Sequence, residues 1–225
     1  MINALSRVFM KDRDYEKVQM IKWAKVPLIK VVERATQIHF DISFNAFDGL
    51  KQIPVTQRAL EVYPEMKYLI FVLKAMLKQL DLNEPNRGGV GSFLLFCLVL
   101  TFVREVKKEY IADGNREEMK ELLLSEMLMK FLKFYGRDFD IAKKSIVMTD
   151  GGKIVDKEAN SKEKGLVVVS PHNPERNVGK AAHKFRCVVE YFNACLKFIE
   201  NHDFSEGESF LKYVVDPRIV KRWWQ

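Results

Sequence analysis

Residues 68–106 read YLIFVLKAMLKQLDLNEPNRGGVGSFLLFCLVLTFVREV, and this stretch decides the fold. Two apolar runs at helical spacing flank a polar, glycine-rich turn, which predicts a pair of helices at the centre of a mostly helical protein. In the first run Lys74 and Lys78 stand four apart, so both ammonium groups leave one face of an otherwise apolar helix. Such a face points at something negative. In the turn, NRGGVG (residues 86–91) precedes Ser92 at the place of a helix N-cap, and glycines without side chains leave that helix N-terminus open to a ligand. Helix N-termini bind phosphate through free N–H groups and the helix dipole. Gly89, Gly91 and Ser92 at the phosphates, with the ring of Phe93 for a base, would suit a nucleoside triphosphate. The same residues also suit a plain turn between helices, with Phe93 in the core and the lysines solvated.

Towards the N-terminus, Ile38, Phe40, Ile42 and Phe44 alternate with His39, Asp41 and Ser43. Period two makes this a strand and puts Asp41 on the face opposite the apolar one. Residues 25–33 read as its partner, with Pro27 near the start and residues 34–37 as the turn. Residues 1–20 suit an amphipathic helix with Leu5, Val8 and Phe9 on one side. No further strand is legible before Tyr68, and two strands alone do not make a stable sheet. Towards the C-terminus, helices are expected at 56–63, 66–81, 92–111 and 116–135, with a break at Tyr135, Gly136 and Arg137. Short strands at 144–148 and 166–170 flank DGGK (residues 150–153) and a charged segment. The loop SPHNPERNVGK (residues 170–180), a helix to about Glu200 and a last segment from Glu206 complete the chain.

A hydrophobic fraction of 48% over 225 residues is enough for a packed core. The formal charge of +7 favours a polyanionic partner. Basic clusters at 143–144, 162–164 and 180–186 suit either an RNA backbone or a solvated surface. Cys97, Cys187 and Cys195 lie in apolar helical contexts without a C-x-x-C pair, which predicts reduced core thiols and no zinc site. The four histidines share no metal-binding spacing, and Trp223 and Trp224 suit a docked C-terminal turn. The N-terminus lacks the apolar stretch of a signal peptide, and residues 93–103 are too short to span a bilayer, so an intracellular, soluble protein is expected.

The order LK-x3-K, LN, GGVGSF resembles the central-domain signature of the noncanonical poly(A) RNA polymerases, the nuclear RNA-surveillance class of the DNA polymerase beta superfamily also called DNA polymerase sigma. FDISFN (residues 40–45), preceded by KVPLIK (residues 25–30), resembles the strand that carries the family's third catalytic aspartate. MKFLKFYGRDFD (residues 129–140) with the later DGGK resembles the poly(A)-polymerase-associated region, and the loop at 170–180 resembles the nucleotide recognition motif. The resemblance implies an α+β, mostly helical fold: a partial nucleotidyltransferase palm in residues 1–47, with a helix and a β-hairpin carrying Asp41, then a helical central domain in 48–225.

It implies further that Asp41 binds Mg²⁺ or Mn²⁺, that Lys74, Lys78 and Ser92 hold the triphosphate of ATP, and that Phe93, where the family usually has tyrosine, stacks on the base. Asn45 falls at the nucleotide sugar, and Asn173, Arg176 and Asn177 at the base edge. Arg176 stands where uridylyl-adding relatives carry a histidine, which leans toward adenylate. Ser170 and Lys180 depart from the motif's acidic residue and arginine. The family's first two carboxylates, from a Gly-Ser loop and an Asp-x-Asp strand, have no counterpart; Asp12 and Asp14 read as a solvated helix face. The implied activity is template-independent transfer of AMP from Mg-ATP to an RNA 3′ end, marking nuclear RNAs for decay, with a zinc-knuckle RNA-binding subunit and a helicase as partners. A nuclear location, with the cytoplasm as a second, follows the same resemblance. The missing carboxylates leave two alternatives open: an inert nucleotide- or RNA-binding protein, and a scaffold subunit.

Overall fold

The computed structural model describes residues 1–23, 26–44, 47–112, 123–158, 161 and 163–218. The chain forms two compact units, Met1–Val55 and Thr56–Gln225.

In the first unit, helix α1 (Ile2–Lys11) ends where Asp12 turns extended. The helix expected over 1–20 is therefore shorter, and Asp12 and Asp14 form the turn after it, with the Asp14 N–H donating to Asp12 Oδ1 at 3.0 Å. Strand β1 (Tyr15–Ile21) follows, then β2 (Leu28–Glu33) and β3 (His39–Ser43), in an antiparallel sheet of order β1-β2-β3. The hairpin thus has the third strand a stable sheet needs. That strand left no alternation in the sequence because its register shifts between Glu16 and Gln19, where Lys17 takes a φ of 51°. Ile29, Val31 and Val32 of β2 are buried, and the rings of Phe9, Tyr15 and Phe40 meet edge to face. Along β3 the residues alternate exposed and half-buried, with Asp41 exposed.

Helix α2 (Phe47–Val62) contains Pro54 and begins earlier than the expected 56. In the second unit, α3 (Met66–Lys78) packs on α4 (Ser92–Ala112), whose residues 94–103 are all buried. Helix α5 (Leu124–Lys133) runs into a π-helical turn, Phe134–Asp138. That turn brings Gly136 against α6 (Phe185–Asn201), where a methyl group would lie 2.9 Å from the Asn193 nitrogen. The buried Tyr135 hydroxyl donates to the Leu98 carbonyl at 2.8 Å, and Phe102, Phe131 and Phe192 complete an aromatic core. Arg137 forks onto Glu200 of α6 at 2.8 and 2.7 Å.

A second small sheet, of order β5-β4-β6, sits beside this bundle: β4 (Lys144–Val147), β5 (Lys153–Asp156) and β6 (Val168–Val169). Strand β5 pairs antiparallel with β4, and β6 pairs parallel with it. The DGGK segment is the tight turn between β4 and β5. Gly151 and Gly152 take φ of 71° and 93° there, and Arg104 of α4 donates to the Gly151 carbonyl at 2.7 Å. A short helix α7 (Leu211–Val214) follows α6. Cys97 and Cys195 are buried as expected, whereas Cys187 is exposed, on the outer face of α6. Among the described residues no helix is long and apolar enough to cross a membrane.

Candidate functional site

A cleft of about 420 Å³ opens between α3, the 82–91 loop and the first turn of α4. A volume in this range takes a small-molecule ligand. Helix α3 contributes Phe71, Lys74, Leu77 and Lys78; the loop contributes Asn83, Glu84, Pro85, Val90 and Gly91; α4 contributes Ser92 and Leu95. The spacing that predicted one lysine face holds: 71, 74 and 78 fall one helical turn apart. Leu77 is buried and Lys74 half-buried. Among the described residues no carboxylate lies within ion-pair distance of Lys74. Lys74, Lys78 and the carboxylate of Glu84 are the charged side chains that line the cleft among the described residues.

The loop is held by its own backbone. The Leu82 carbonyl accepts from Val90 N–H at 2.7 Å, and the Glu84 carbonyl accepts from Gly89 N–H at 2.8 Å and from Arg87 N–H at 3.0 Å. A side chain at Gly89 would strike the Leu82 carbonyl, so that glycine serves backbone packing beneath the cleft and is not among its lining residues. At Gly91 a methyl group would lie 2.5 Å from Pro85 Cγ. The first bond of α4 runs from Leu95 N–H to the Gly91 carbonyl at 2.9 Å. Gly91 is therefore the N-cap and Ser92 the first helical residue, a correction of one position. The N–H groups of residues 92–94 precede that first bond and have no acceptor within the helix, and their dipole end faces the cleft.

Phe93 is not in the cleft wall. It is half-buried and stacks on Phe96, with centroids 5.8 Å apart and planes 22° apart. Phe71, 51% exposed, is the aromatic side chain that lines the cleft instead. The sequence signal for it was its place three residues before Lys74, an apolar residue on a cationic face.

Of the remaining expected residues, Asn45 is outside the described residues. Asp41 pairs across the sheet with Lys30, Nζ to Oδ2 3.8 Å, with both side chains about half exposed. Among the described residues no three His, Cys, Asp or Glu side chains gather into a metal site. A lone carboxylate beside a lysine does not hold a divalent ion, so the described residues do not by themselves build a metal centre. In the 170–180 loop, Asn173 Oδ1 accepts from Glu175 N–H at 3.0 Å, a local turn, and Arg176 is half-buried. Asn177 Oδ1 accepts from Val168 N–H at 3.0 Å and Gly179 N–H at 2.8 Å, while its Nδ2 donates to Glu163 Oε2 at 2.8 Å and the Leu166 carbonyl at 3.2 Å. All four of its hydrogen-bonding places are occupied by the protein, which makes Asn177 the brace of the loop.

Residues 1–54 match the family described as poly(A) RNA polymerase, mitochondrial-like, central palm domain. Over 212 residues, 91% of the chain, it is 26% identical to poly(A) RNA polymerase protein 1 of Eremothecium gossypii. Over 136 residues, 60% of the chain, it is 35% identical to poly(A) RNA polymerase cid14 of Schizosaccharomyces pombe. The chain is a relative of the noncanonical poly(A) RNA polymerases. Within this group it is also 28% identical, over 80% of its length, to the inactive noncanonical poly(A) RNA polymerase Trf4-2 of Drosophila melanogaster. The chain spans 33%, 19% and 46% of the lengths of these three polymerase relatives. Among solved structures, the polymerase core of TRAMP, an RNA surveillance complex, superposes with a TM-score of 0.81 at 23% identity, covering 95% of this chain and 70% of that one. The structure of mtPAP in complex with ATPγS superposes at 0.70 with 18% identity, covering 90% and 49%. At these identities the likeness shows a poly(A) polymerase core fold, as the α+β, mostly helical reading expected.

Proposed function

We propose that the cleft between α3 and α4 binds the triphosphate of ATP, and that the protein belongs to an RNA 3′-terminal adenylyltransferase. The observation that carries this is the convergence of Lys74, Lys78 and the open α4 N-terminus with Ser92 on one cleft of ligand size. Transfer of AMP requires the RNA 3′ hydroxyl to attack the α-phosphorus while pyrophosphate leaves with its negative charge. In this reading the two ammonium groups and the helix N-terminus meet that charge. Glu84, hydrogen-bonded by Asn83 Nδ2 at 3.1 Å, is the carboxylate on the same cleft wall. In the same reading Asp41 offers one of the several ligands a Mg²⁺ or Mn²⁺ ion needs, the base lies toward Phe71 on the cleft wall, and RNA of a surveillance pathway is the acceptor. A nuclear location and a zinc-knuckle subunit and helicase as partners are part of this proposal and rest on the sequence motifs; the TRAMP polymerase core, whose fold the chain shares, is part of an RNA surveillance complex.

Calorimetric titration with ATP tests it. Lys74→Ala is expected to weaken binding by about tenfold or more, the worth of one charge-assisted hydrogen bond. Unchanged affinity would remove the assignment. A second reading, an inert nucleotide-binding subunit, rests on the likeness to one inactive relative. Incubation with oligo(A), ATP and magnesium decides between them: extension selects the enzyme, and ATP binding without extension selects the inert subunit.

A further inference from the structure

The cleft loop is fastened from outside by residues that follow the 170–180 loop. Gly88 takes φ of 84° at the end of a 3-10 turn, Pro85–Arg87, and its N–H donates to the Pro85 carbonyl at 3.1 Å. The Gly88 carbonyl accepts from Lys184 N–H at 3.0 Å. The His183 ring lies directly over the Gly88 Cα, on the spot where any side chain would have to go. Gly88 is thus gripped by both a backbone bond and a ring. What it transmits reaches the cleft wall: Gly88 holds Pro85, Pro85 packs on Gly91, and Gly91 caps the helix that Ser92 begins.

On its other side His183 is tied to the 170–180 loop. Its N–H donates to the Ala181 carbonyl at 3.0 Å, Ala182 N–H donates to the Gly179 carbonyl at 2.9 Å, and Gly179 N–H donates to Asn177 Oδ1 at 2.8 Å. A continuous run of close contacts therefore joins the Asn177 brace to the phosphate end of the cleft. Packed, hydrogen-bonded runs of this kind carry coupling between sites.

We propose that His183 is a positioning residue for the cleft: its ring sets Gly88, and through Pro85 and Gly91 the geometry of the α4 N-terminus, so that the 170–180 loop tunes nucleotide affinity. This rests on the reading of the cleft as a triphosphate site. A ring is needed and its charge is not, so His183→Phe retains the function that His183→Ala loses.

The test is calorimetric binding of ATP and of inorganic tripolyphosphate to the full chain, with thermal melting alongside. His183→Ala is expected to weaken both ligands by about three- to tenfold, and His183→Phe to stay within about twofold of the parent. Tripolyphosphate separates cleft geometry from base contacts. Asn177→Ala is expected to weaken ATP in the parent and to add little in His183→Ala, because both act through Gly88. Parent-like binding by His183→Ala, or a loss in His183→Phe equal to that in His183→Ala, overturns the proposal while leaving the Lys74→Ala result to judge the cleft itself. If neither ligand binds the parent chain, both readings fall together.

Discussion

Asn177 braces the loop that carries it. Its position before Val178 and Gly179 marks a turn, but only the folded loop shows that Val168, Gly179, Leu166 and Glu163 use its whole amide. Asn177→Ala strands two backbone N–H groups and a carbonyl, and is expected to cost about 1–3 kcal/mol per buried group left unpaired; thermal denaturation measures it. The cysteines separate in the same way. Burial pushes the Cys97 thiol up to about 12 and raises that of Cys195, while Cys187 stands exposed. Since the thiolate is the nucleophile, iodoacetamide at neutral pH should modify Cys187 alone in the folded protein and all three after denaturation, as read by peptide mass. The sequence placed all three on apolar helices; which side of α6 faces the core is settled by what α6 packs against.

At the scale of elements, strands and helices were legible where local periodicity was intact. Strand β3 alternates cleanly, and its neighbour β1 does not, because a register shift at Lys17 breaks the period that a reader of sequence relies on. Strand β5 was hidden for a related reason: four residues next to a charged segment carry too little pattern. At the junction of α6 and α7 one carboxylate gathers three partners. Glu208 takes Lys212 Nζ at 2.5 Å, Tyr213 Oη at 2.6 Å and Ser205 N–H at 2.8 Å, and these partners hold its carboxyl down to about 2. Its folded pKa lies below the ordinary 4.5, so its contribution is fully present above that value and is lost as pH falls from about 4.5 through about 2. Amide exchange of residues 205–215 should accelerate across that window, and Glu208→Gln should remove the dependence.

For the whole molecule, a formal charge of +7 means that RNA binding, as proposed above, would be driven by counterion release. Binding of oligo(A) measured by anisotropy should weaken steeply between low and physiological salt, each phosphate contact adding about 0.7 to the log–log slope for a single strand. Part of the basic charge is already used within the protein: Lys143 lies 3.6 Å from Asp140, and Lys144 lies 2.6 Å from Asp156. Charge reversal at 180–186 should therefore flatten the slope more than reversal at 143–144. A slope unaffected by either would exclude both clusters from the RNA path.

The amino-acid sequence by itself determined the helical pair around the cleft, the shared face of Lys74 and Lys78, the open glycine turn and the outward place of Asp41. Each of these depends on residues within a few positions of one another, so the repeat of helix or strand carries them. Only the tertiary structure decided that Phe71 and not Phe93 lines the cleft and that His183 sits on Gly88. These are meetings of segments far apart in the chain. Packing geometry brings them together, and no local periodicity records it.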